Sequence, residues 1–462
     1  MNQNYFSRLK NRPEKSKRLF RSERIEQVIA DIAECIVDSE IQQMFSQCLP
    51  NTLDTAVTYT EDKRGKPDTF ISTGDIPALW LRDSANQIAP YLRFIDHDEA
   101  LRKMIAGLVR RQTACVLTDP YANAFAHKAN SRMSKNPWWS KGVKWKQGVW
   151  ERKFELDSLA SFLWLSAKYW ECSGDTSPFD ARWIKAIARI LDVFDQERET
   201  LSKDNAKEMF RFFAPNGKSF PSVRLDGYGY PGRKCGLVRS VFRPSDDEAV
   251  FPYSIPANAF AVVALQAVMV VLRALPAAQE ALAERCGRTA REIDESIKRN
   301  GIVIHRDFGD IFAYEIDGFG SQCLMDDPNV PSLLSLPFLG YCASDDPVYL
   351  STRKFILEVS NPFFVQGKFS GVSSPHTGAL ERFWPMATIV QALTTDDEEE
   401  IRRCLFVLKE THAGTHFIHE SVDVNDPHRF TRPWFGWANS LFGELILTLA
   451  EKHPDVLEQP FP

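Results

Sequence analysis

The chain lacks a CxxC pair, an uninterrupted apolar run of the roughly 18 residues that a spanning helix needs, and an excess of either charge. Its nine cysteines stand singly at 35, 48, 115, 172, 235, 286, 323, 342 and 404. An odd, scattered set fits reduced thiols rather than a disulfide framework or a zinc site, and redox chemistry is not expected. With 56 Lys and Arg against 61 Asp and Glu, the net charge is -5. That balance exerts no general pull on nucleic acid or an anionic membrane, so neither partner is expected. No apolar stretch follows the basic start, which argues against a secretory signal or anchor and predicts a cytoplasmic protein. Helical arrays with repeats of roughly 34 to 47 residues would show an internal period; none is visible. No Gly/Ser-rich or Pro-rich linker divides the chain.

One local charge bias is present. Arg8, Lys10, Arg12, Lys15, Lys17, Arg18, Arg21 and Arg24 crowd the N-terminus. Residues 1–23 therefore read as a basic, solvated, flexible arm, and 24–462 as a single catalytic domain.

Helical periodicity dominates the chain beyond this arm. Ile25, Val28, Ile29, Ile32 and Ile36 recur at spacings of three and four, the apolar stripe of an amphipathic helix. The same reading predicts helices over Leu101–Val116, Leu156–Trp170, Trp183–Phe194, Ala259–Leu272, Ala277–Ile297, Phe383–Leu393, Ile401–Leu408 and Trp434–Leu449. Weaker patterns predict three more, over Pro77–Leu92, Val330–Cys342 and Pro347–Leu357. Ile302–His305 and Ile311–Tyr314 look like hairpin pieces, too few for a sheet-based core.

The links between these helices alternate in character. Segments entering the helices near Pro77, Glu155, Pro256, Pro331, Glu381 and Trp434 are rich in charged, aromatic, Gly and Pro residues. Those near Ser173, Ser344 and Thr395 are short, plain turns. In a ring of helical hairpins, loops of one parity emerge on one face. The expectation is an all-α (α/α)6 barrel with minor β-hairpin pieces and one site at its rich rim.

Four rich loops carry the chemistry. In the first, Trp80, Arg82 and Asp83 place a fork of donors beside an acceptor, suited to vicinal sugar hydroxyls, or else a structural pair steadying the helix. In the second, Trp150, Glu151 and Arg152 repeat the aromatic-plus-charge theme, although its acids also suit a helix N-terminus. In the third, Asp246, Asp247 and Glu248 crowd together. Like charges in a dry cleft raise at least one pKa, as a general acid near neutrality requires. A metal cluster is the rival, but neither His nor calcium-loop spacing accompanies it. In the sixth, Glu420 stands alone between His and aromatic residues. Two such acids facing across a barrel mouth would meet the need of an inverting glycosidase, with a water between the carboxylate and the sugar. Asn329 and His376, from intervening segments, are candidate hydroxyl ligands.

At these residues the sequence resembles the family 125 glycoside hydrolases, exo-α-1,6-mannosidases. The matching strings are TGDIPALWLRDS, DPYANAF, WERKFELDSL, FRPSDDE, MDDPNVPSLLS, SPHTG and HESVDVNDPHRFTRPWFGWANSLFGE, in order from Thr73 to Glu444. The resemblance implies the (α/α)6 barrel, hydrolysis of terminal α-1,6-linked mannose with inversion, and neither cofactor nor catalytic metal. It implies a substrate that is a mannose-containing oligosaccharide or N-glycan fragment. Asp246 becomes the general acid and Glu420 the general base. Trp80, Arg82, Asp83, Trp150, Glu151, Arg152, Asn329 and His376 become the sugar-binding candidates. The same barrel acting on another sugar or linkage, or a non-catalytic glycan-binding scaffold, are the alternatives. Leu79 departs from the usual Met, and the Lys/Trp-rich stretch from His127 to Gln147 is locally expanded, which bears on the leaving group.

Overall fold

Two groups of helix starts organise the fold. In the computed structural model, which describes residues 12–128, 146–212, 223–377 and 380–460, five helices begin on an aspartate cap. Asp38, Asp98, Asp180, Asp346 and Asp397 accept the first free N–H groups of Ser39–Cys48, Glu99–Thr118, Ala181–Glu197, Pro347–Ile356 and Glu398–Thr411. Four others begin at Trp80, Glu155, Trp384 and Phe435 with no side-chain cap: Leu81–Ile88, Leu156–Ser173, Pro385–Leu393 and Gly436–Lys452.

These four, with Ile255–Ala274, whose N-cap Ser254 accepts the Ala257 N–H, form the inner ring. Leu81–Ile88 packs on Leu156–Ser173, which packs on Ile255–Ala274; Pro385–Leu393 packs on Gly436–Lys452, which returns to Leu81–Ile88. The Asp-capped helices, with Glu280–Ser296, stand outside: Glu99–Thr118 against Ala181–Glu197, Glu280–Ser296 against Ile255–Ala274, and Glu398–Thr411 against Pro385–Leu393. One continuous apolar core joins the two layers, with Trp183, Tyr91, Tyr169 and Phe162 wholly buried. The architecture is the expected helical toroid. Its loops of one parity are plain turns, most of them Asp-capped; those of the other parity carry the site.

Most predicted helices are present within a few residues of their expected ends. The region Pro77–Leu92 divides into a strand Ala78–Trp80, the helix Leu81–Ile88 and a 3-10 turn Ala89–Phe94. The expected helix over Val330–Cys342 is absent: the segment is a chain of turns. Pro331 and Pro337 have no N–H to give, Gly340 takes φ 83°, and Asp326 draws the N–H groups of Leu333 and Leu334 to its carboxyl at 2.8 and 3.0 Å. Leu333, Leu334 and Leu336 are nevertheless buried in the common apolar core without forming a helix.

Ser39–Cys48, Asn51–Thr55 and the hairpin Val57–Glu61/Pro67–Ile71 were not expected. The hairpin Ile302–His305/Gly309–Phe312 was. Among the described residues, strands form only two- and three-stranded ladders, including the antiparallel set Ala78–Trp80, Ala124–Ala126, Val149–Glu151 on the rich face.

Ile255–Ala274 is long and apolar enough to cross a membrane by composition, contrary to the expectation that no stretch would be. It packs between two helices of the toroid, and most of it is buried there. Of the basic N-terminal segment, residues 1–11 lie outside the described residues. From Arg12 onward it lies on the body: Arg12 bonds Asp54 at 2.8 Å and Glu26 at 2.6 Å, and the N–H groups of Leu19 and Phe20 donate to Asp54 and Leu53 carbonyls.

Candidate active site

The N-terminal ends of the inner helices surround a cavity of about 200 Å³. It takes residues from loops that are hundreds of positions apart, among them Asp83, Glu151, Asp246, Asn329, His376 and Glu420. Trp80 and Arg82 line it too. Four of these helices direct the positive ends of their dipoles toward this region, a field that favours carboxylates and sugar oxygens, while the first N–H groups of Leu81, Leu156 and Gly436 are taken by Asn123 O, Ser240 Oγ and Thr73 O.

Asp246 sits at a tight corner. Its N–H donates to Arg243 O at 2.9 Å, Arg243 N–H returns to Asp247 O at 2.8 Å, and the backbone of Asp246 has φ 68°, a conformation L-residues rarely adopt. The corner is anchored from behind by a buried pair, Arg243 Nε to Glu315 Oε1 at 2.6 Å. It projects the Asp246 carboxyl toward Glu151 and Glu155, whose oxygens lie with it within 4.8 Å of one another. The side-chain amide of Asn123 stands among all three, 3.0 Å from Glu151, 2.9 Å from Glu155 and 3.1 Å from Asp246.

Cations offset this cluster. Lys153 Nζ is 3.3 Å from Glu151 Oε1, and Arg82 Nη1 is 2.5 Å from Glu155 Oε2 and 3.1 Å from Asp157 Oδ2. Burial, with Asp246 nearby, pushes Glu151 up to about 7 against the pull of Lys153. Burial also drives Glu155 well above the carboxylate range, with Arg82 opposing and Asp246 adding to the rise. Asp246 moves the other way, contrary to the raised pKa expected of a general acid in this loop: its burial is outweighed by Lys153, the interaction with Glu155, and Arg82. Burial raises Asp83 to about 6, although Arg82 and Arg432 oppose it.

Glu420 faces the cavity from the opposite loops. Thr431 Oγ1 donates to its Oε2 at 2.9 Å and Arg432 Nη1 lies 3.6 Å from its Oε1. His419, beside it, is buried and stacked on Phe430 with ring centres 3.7 Å apart; burial lowers its pKa to about 4, so it serves packing as a neutral ring. His376 Nδ1 is 3.1 Å from Asp247 Oδ1. Burial would depress that imidazole, but Asp247, then Asp246 and Glu420, raise it to about 9. Asn329 is buried, its Nδ2 donating to Asp327 Oδ1 at 2.8 Å. Among the described residues, Trp80 Nε1, Ser245 Oγ and Trp437 Nε1 are buried at the cavity without hydrogen-bond partners, as groups that receive a polyhydroxyl ligand would be.

Two of the sugar-binding candidates do not line the cavity. Arg152 turns to Asp119 at 2.8 Å and lies over the rings of Tyr121 and Phe210, bracing the loop. Trp150 packs behind Trp80 in a small apolar cluster with Ala78 and Ala124. Arg82 is held mainly by Glu155 and Asp157. Sequence reasoning passed over Asn123, Glu155, Lys153, Thr431, Arg432, Trp384 and Trp437. Asn123 lies in DPYANAF and Glu155 in WERKFELDSL, but neither string by itself says what it faces. The expanded stretch of 127–147 falls largely on 129–145, outside the described residues.

The chain matches known proteins along nearly its whole length. Residues 38–447 match the profile of the metal-independent α-mannosidases (GH125). The meiotically up-regulated gene 157 protein of Schizosaccharomyces pombe is 44% identical over 467 residues, covering 97% of this chain and 90% of that protein. Among solved structures, a Streptococcus pneumoniae metal-independent α-mannosidase, in a non-productive complex with α-1,6-mannobiose, superposes with a TM-score of 0.87. It is 39% identical, over 94% of this chain and 99% of the other. A bacterial glucoamylase complexed with acarbose shares the fold at 13% identity and a TM-score of 0.51, over 93% of this chain and 59% of its own.

Proposed function

The chain belongs to the metal-independent α-mannosidases of family GH125, and on that premise we propose that it is an exo-acting hydrolase of non-reducing terminal α-1,6-linked mannose that inverts the anomeric centre. The observation that carries the proposal is that Asp246 and Glu420, from loops 174 positions apart, open on one cavity. Asp246, once it carries a proton from its buried carboxyl neighbours, passes it to the glycosidic oxygen as the C1–O bond breaks. Glu420, oriented by Thr431 and Arg432, takes a proton from a water whose oxygen bonds C1 on the opposite face, releasing β-mannose. Trp80, Arg82, Asp83, Glu151, Asn329 and His376 surround the terminal sugar, and the small cavity favours a chain end over an internal residue. The α-1,6-mannobiose bound by the Streptococcus protein supports the linkage.

The substrate in this reading is a mannose-containing oligosaccharide or N-glycan fragment, with residues 24–462 acting as one catalytic domain. Nine unpaired cysteines suit a reducing, cytoplasmic setting. Proton NMR of the first product from α-1,6-mannobiose tests the mechanism: β-mannose is expected, and initial α-mannose overturns inversion. Asp246→Asn and Glu420→Gln should each lower kcat at least about 10²-fold. A panel of α-linked disaccharides tests the sugar and linkage; faster cleavage of a non-mannoside overturns that part.

A further inference from the structure

Asn123 presents a geometric shortage. Its amide carries two protons, yet three carboxyl groups lie within bonding distance of its nitrogen. Lys153 compensates Glu151 at 3.3 Å. The remaining two, Glu155 and Asp246, share the same amide nitrogen and have oxygens within 4.8 Å of one another. Two ionised carboxylates that close in a buried setting repel, and a single proton held by the pair removes the repulsion.

The surroundings of Glu155 fit a proton-sharing role better than a structural one. Glu155 occupies the N-cap position of Leu156–Ser173, yet its side chain caps none of that helix's N–H groups. Its Oε2 is held by Arg82 Nη1 at 2.5 Å and Ser158 Oγ at 3.1 Å, leaving Oε1 toward Asn123. Glu155 is buried, whereas Asp246 is partly open to the cavity. One carboxyl therefore faces substrate and the other faces only protein.

We propose that Glu155 shares the catalytic proton with Asp246 and acts as the positioning residue that keeps Asp246 supplied with it. The inference rests on Asp246 being the general acid. In the forward step the one proton of the pair, resting on Glu155, crosses to Asp246 as Asp246 passes it to the glycosidic oxygen and the C1–O bond breaks. Both carboxyls are then ionised, with Arg82 beside Glu155 and Lys153 beside the cluster. Water supplies oxygen to C1 and a proton to Glu420. As products leave, Glu420 releases that proton to solvent and the Glu155–Asp246 pair takes one up, so one water is consumed and every proton is accounted for.

The test compares two substrates, α-1,6-mannobiose, whose leaving group needs protonation, and α-mannosyl fluoride, whose leaving group does not. Glu155→Gln should lower kcat on mannobiose at least about 10²-fold with little change in KM, and retain hydrolysis of the fluoride. Its alkaline limb of kcat/KM should move to lower pH, because a neutral amide donor replaces a proton-sharing carboxyl beside Asp246. Parallel loss on both substrates with an unmoved limb means a structural role only and overturns the proposal. Glu155→Asp keeps a titratable group; it should recover mannobiose hydrolysis relative to the Gln variant, and equal loss in the two overturns the proposal. Should the Gln variant fail to fold, a displaced alkaline limb in Glu155→Asp is the expected result, and an unmoved one overturns it. Asp246→Asn judges the underlying assignment separately. If it keeps mannobiose hydrolysis, or loses the fluoride in parallel, Asp246 is not the acid, whatever Glu155 does.

Discussion

Arg432 Nη2 lies 2.6 Å from Asp75 Oδ1, joining residues 357 positions apart and closing the toroid at its catalytic rim. The seam continues in the backbone: Gly74 bridges Phe435, and Asp75 N–H donates to Trp434 O at 3.3 Å. Gly74 allows this approach because a Cβ there would stand 2.6 Å from Trp434 O, at φ 116°. Arg432 also lies over the Phe435 ring at 4.3 Å and beside Glu420. The ion pair that closes the fold therefore also orients the proposed base.

Asp75→Asn should loosen Arg432 and lower kcat on α-1,6-mannobiose about tenfold, since a hydrogen bond to a charged group contributes about 1.5–3 kcal/mol. Steady-state kinetics beside a thermal melt check this. Unchanged kcat would separate the seam from catalysis.

Thr431 Oγ1 donates to Glu420 Oε2 at 2.9 Å and also meets Ser421 Oγ at 2.7 Å. Thr431→Val keeps the volume and removes the donor. A fall in kcat of about tenfold with KM nearly constant is expected. A rise in KM alone would assign Thr431 to sugar binding.

His376 should remain cationic to about pH 9 while Asp247 faces it. In Asp247→Asn its titration should drop toward the ordinary imidazole value near 6.5. Following the imidazole Cε1–H resonance against pH reads this directly. An unchanged midpoint would show that Asp247 is not the stabilising partner.

Stability should decline as pH rises from about 6.5 to 8. Burial raises Asp326 to about 8 and Glu151 to about 7, so in this window the folded protein holds protons that the unfolded chain has released. Stability from a raised pKa is present below the unfolded value and lost as pH passes the folded one. His376, raised to about 9, acts in the same direction above 6.5. His419, lowered to about 4, acts in the opposite direction but only between about 4 and 6.5. Melts at constant ionic strength should show Tm falling across the window, and falling less in Asp326→Asn. A rising Tm would contradict the assignment.

Chelation should leave activity unchanged. Glu151, Glu155 and Asp246 have donor atoms close enough for a cation, but Lys153 and Arg82 already neutralise them. Assays before and after EDTA, with and without added calcium or zinc, check this. Loss restored by one metal would reassign the cluster.

The helices were legible because burial has a period. Ile25, Val28 and Ile29 mark one face whatever lies opposite, and predicted helices such as Leu156–Trp170 reappear with only their ends moved. The parity of rich and plain loops was legible for a related reason: five helices begin on Asp caps, several of them in the plain turns, while four inner ones begin on residues whose side chains do not cap them. The failed helix at Val330–Cys342 shows the limit. Its leucines carry the apolar signal, but two prolines and the Asp326 carboxyl take away the N–H groups that a helix needs.

What the sequence by itself determined is the helical ring, its single functional rim, and the family to which the motif strings belong. Only the tertiary structure decided which charged residues share a site. It brought Asn123, Glu151, Glu155 and Asp246 together, turned Arg152 away to Asp119, and seated Arg432 between Asp75 and Glu420. The reason is physical: periodicity is a local property that reports which face of a segment is buried. The distance between residues 123 and 246 is set by the closing of the whole ring, and the charge state of the carboxyls there depends on that distance.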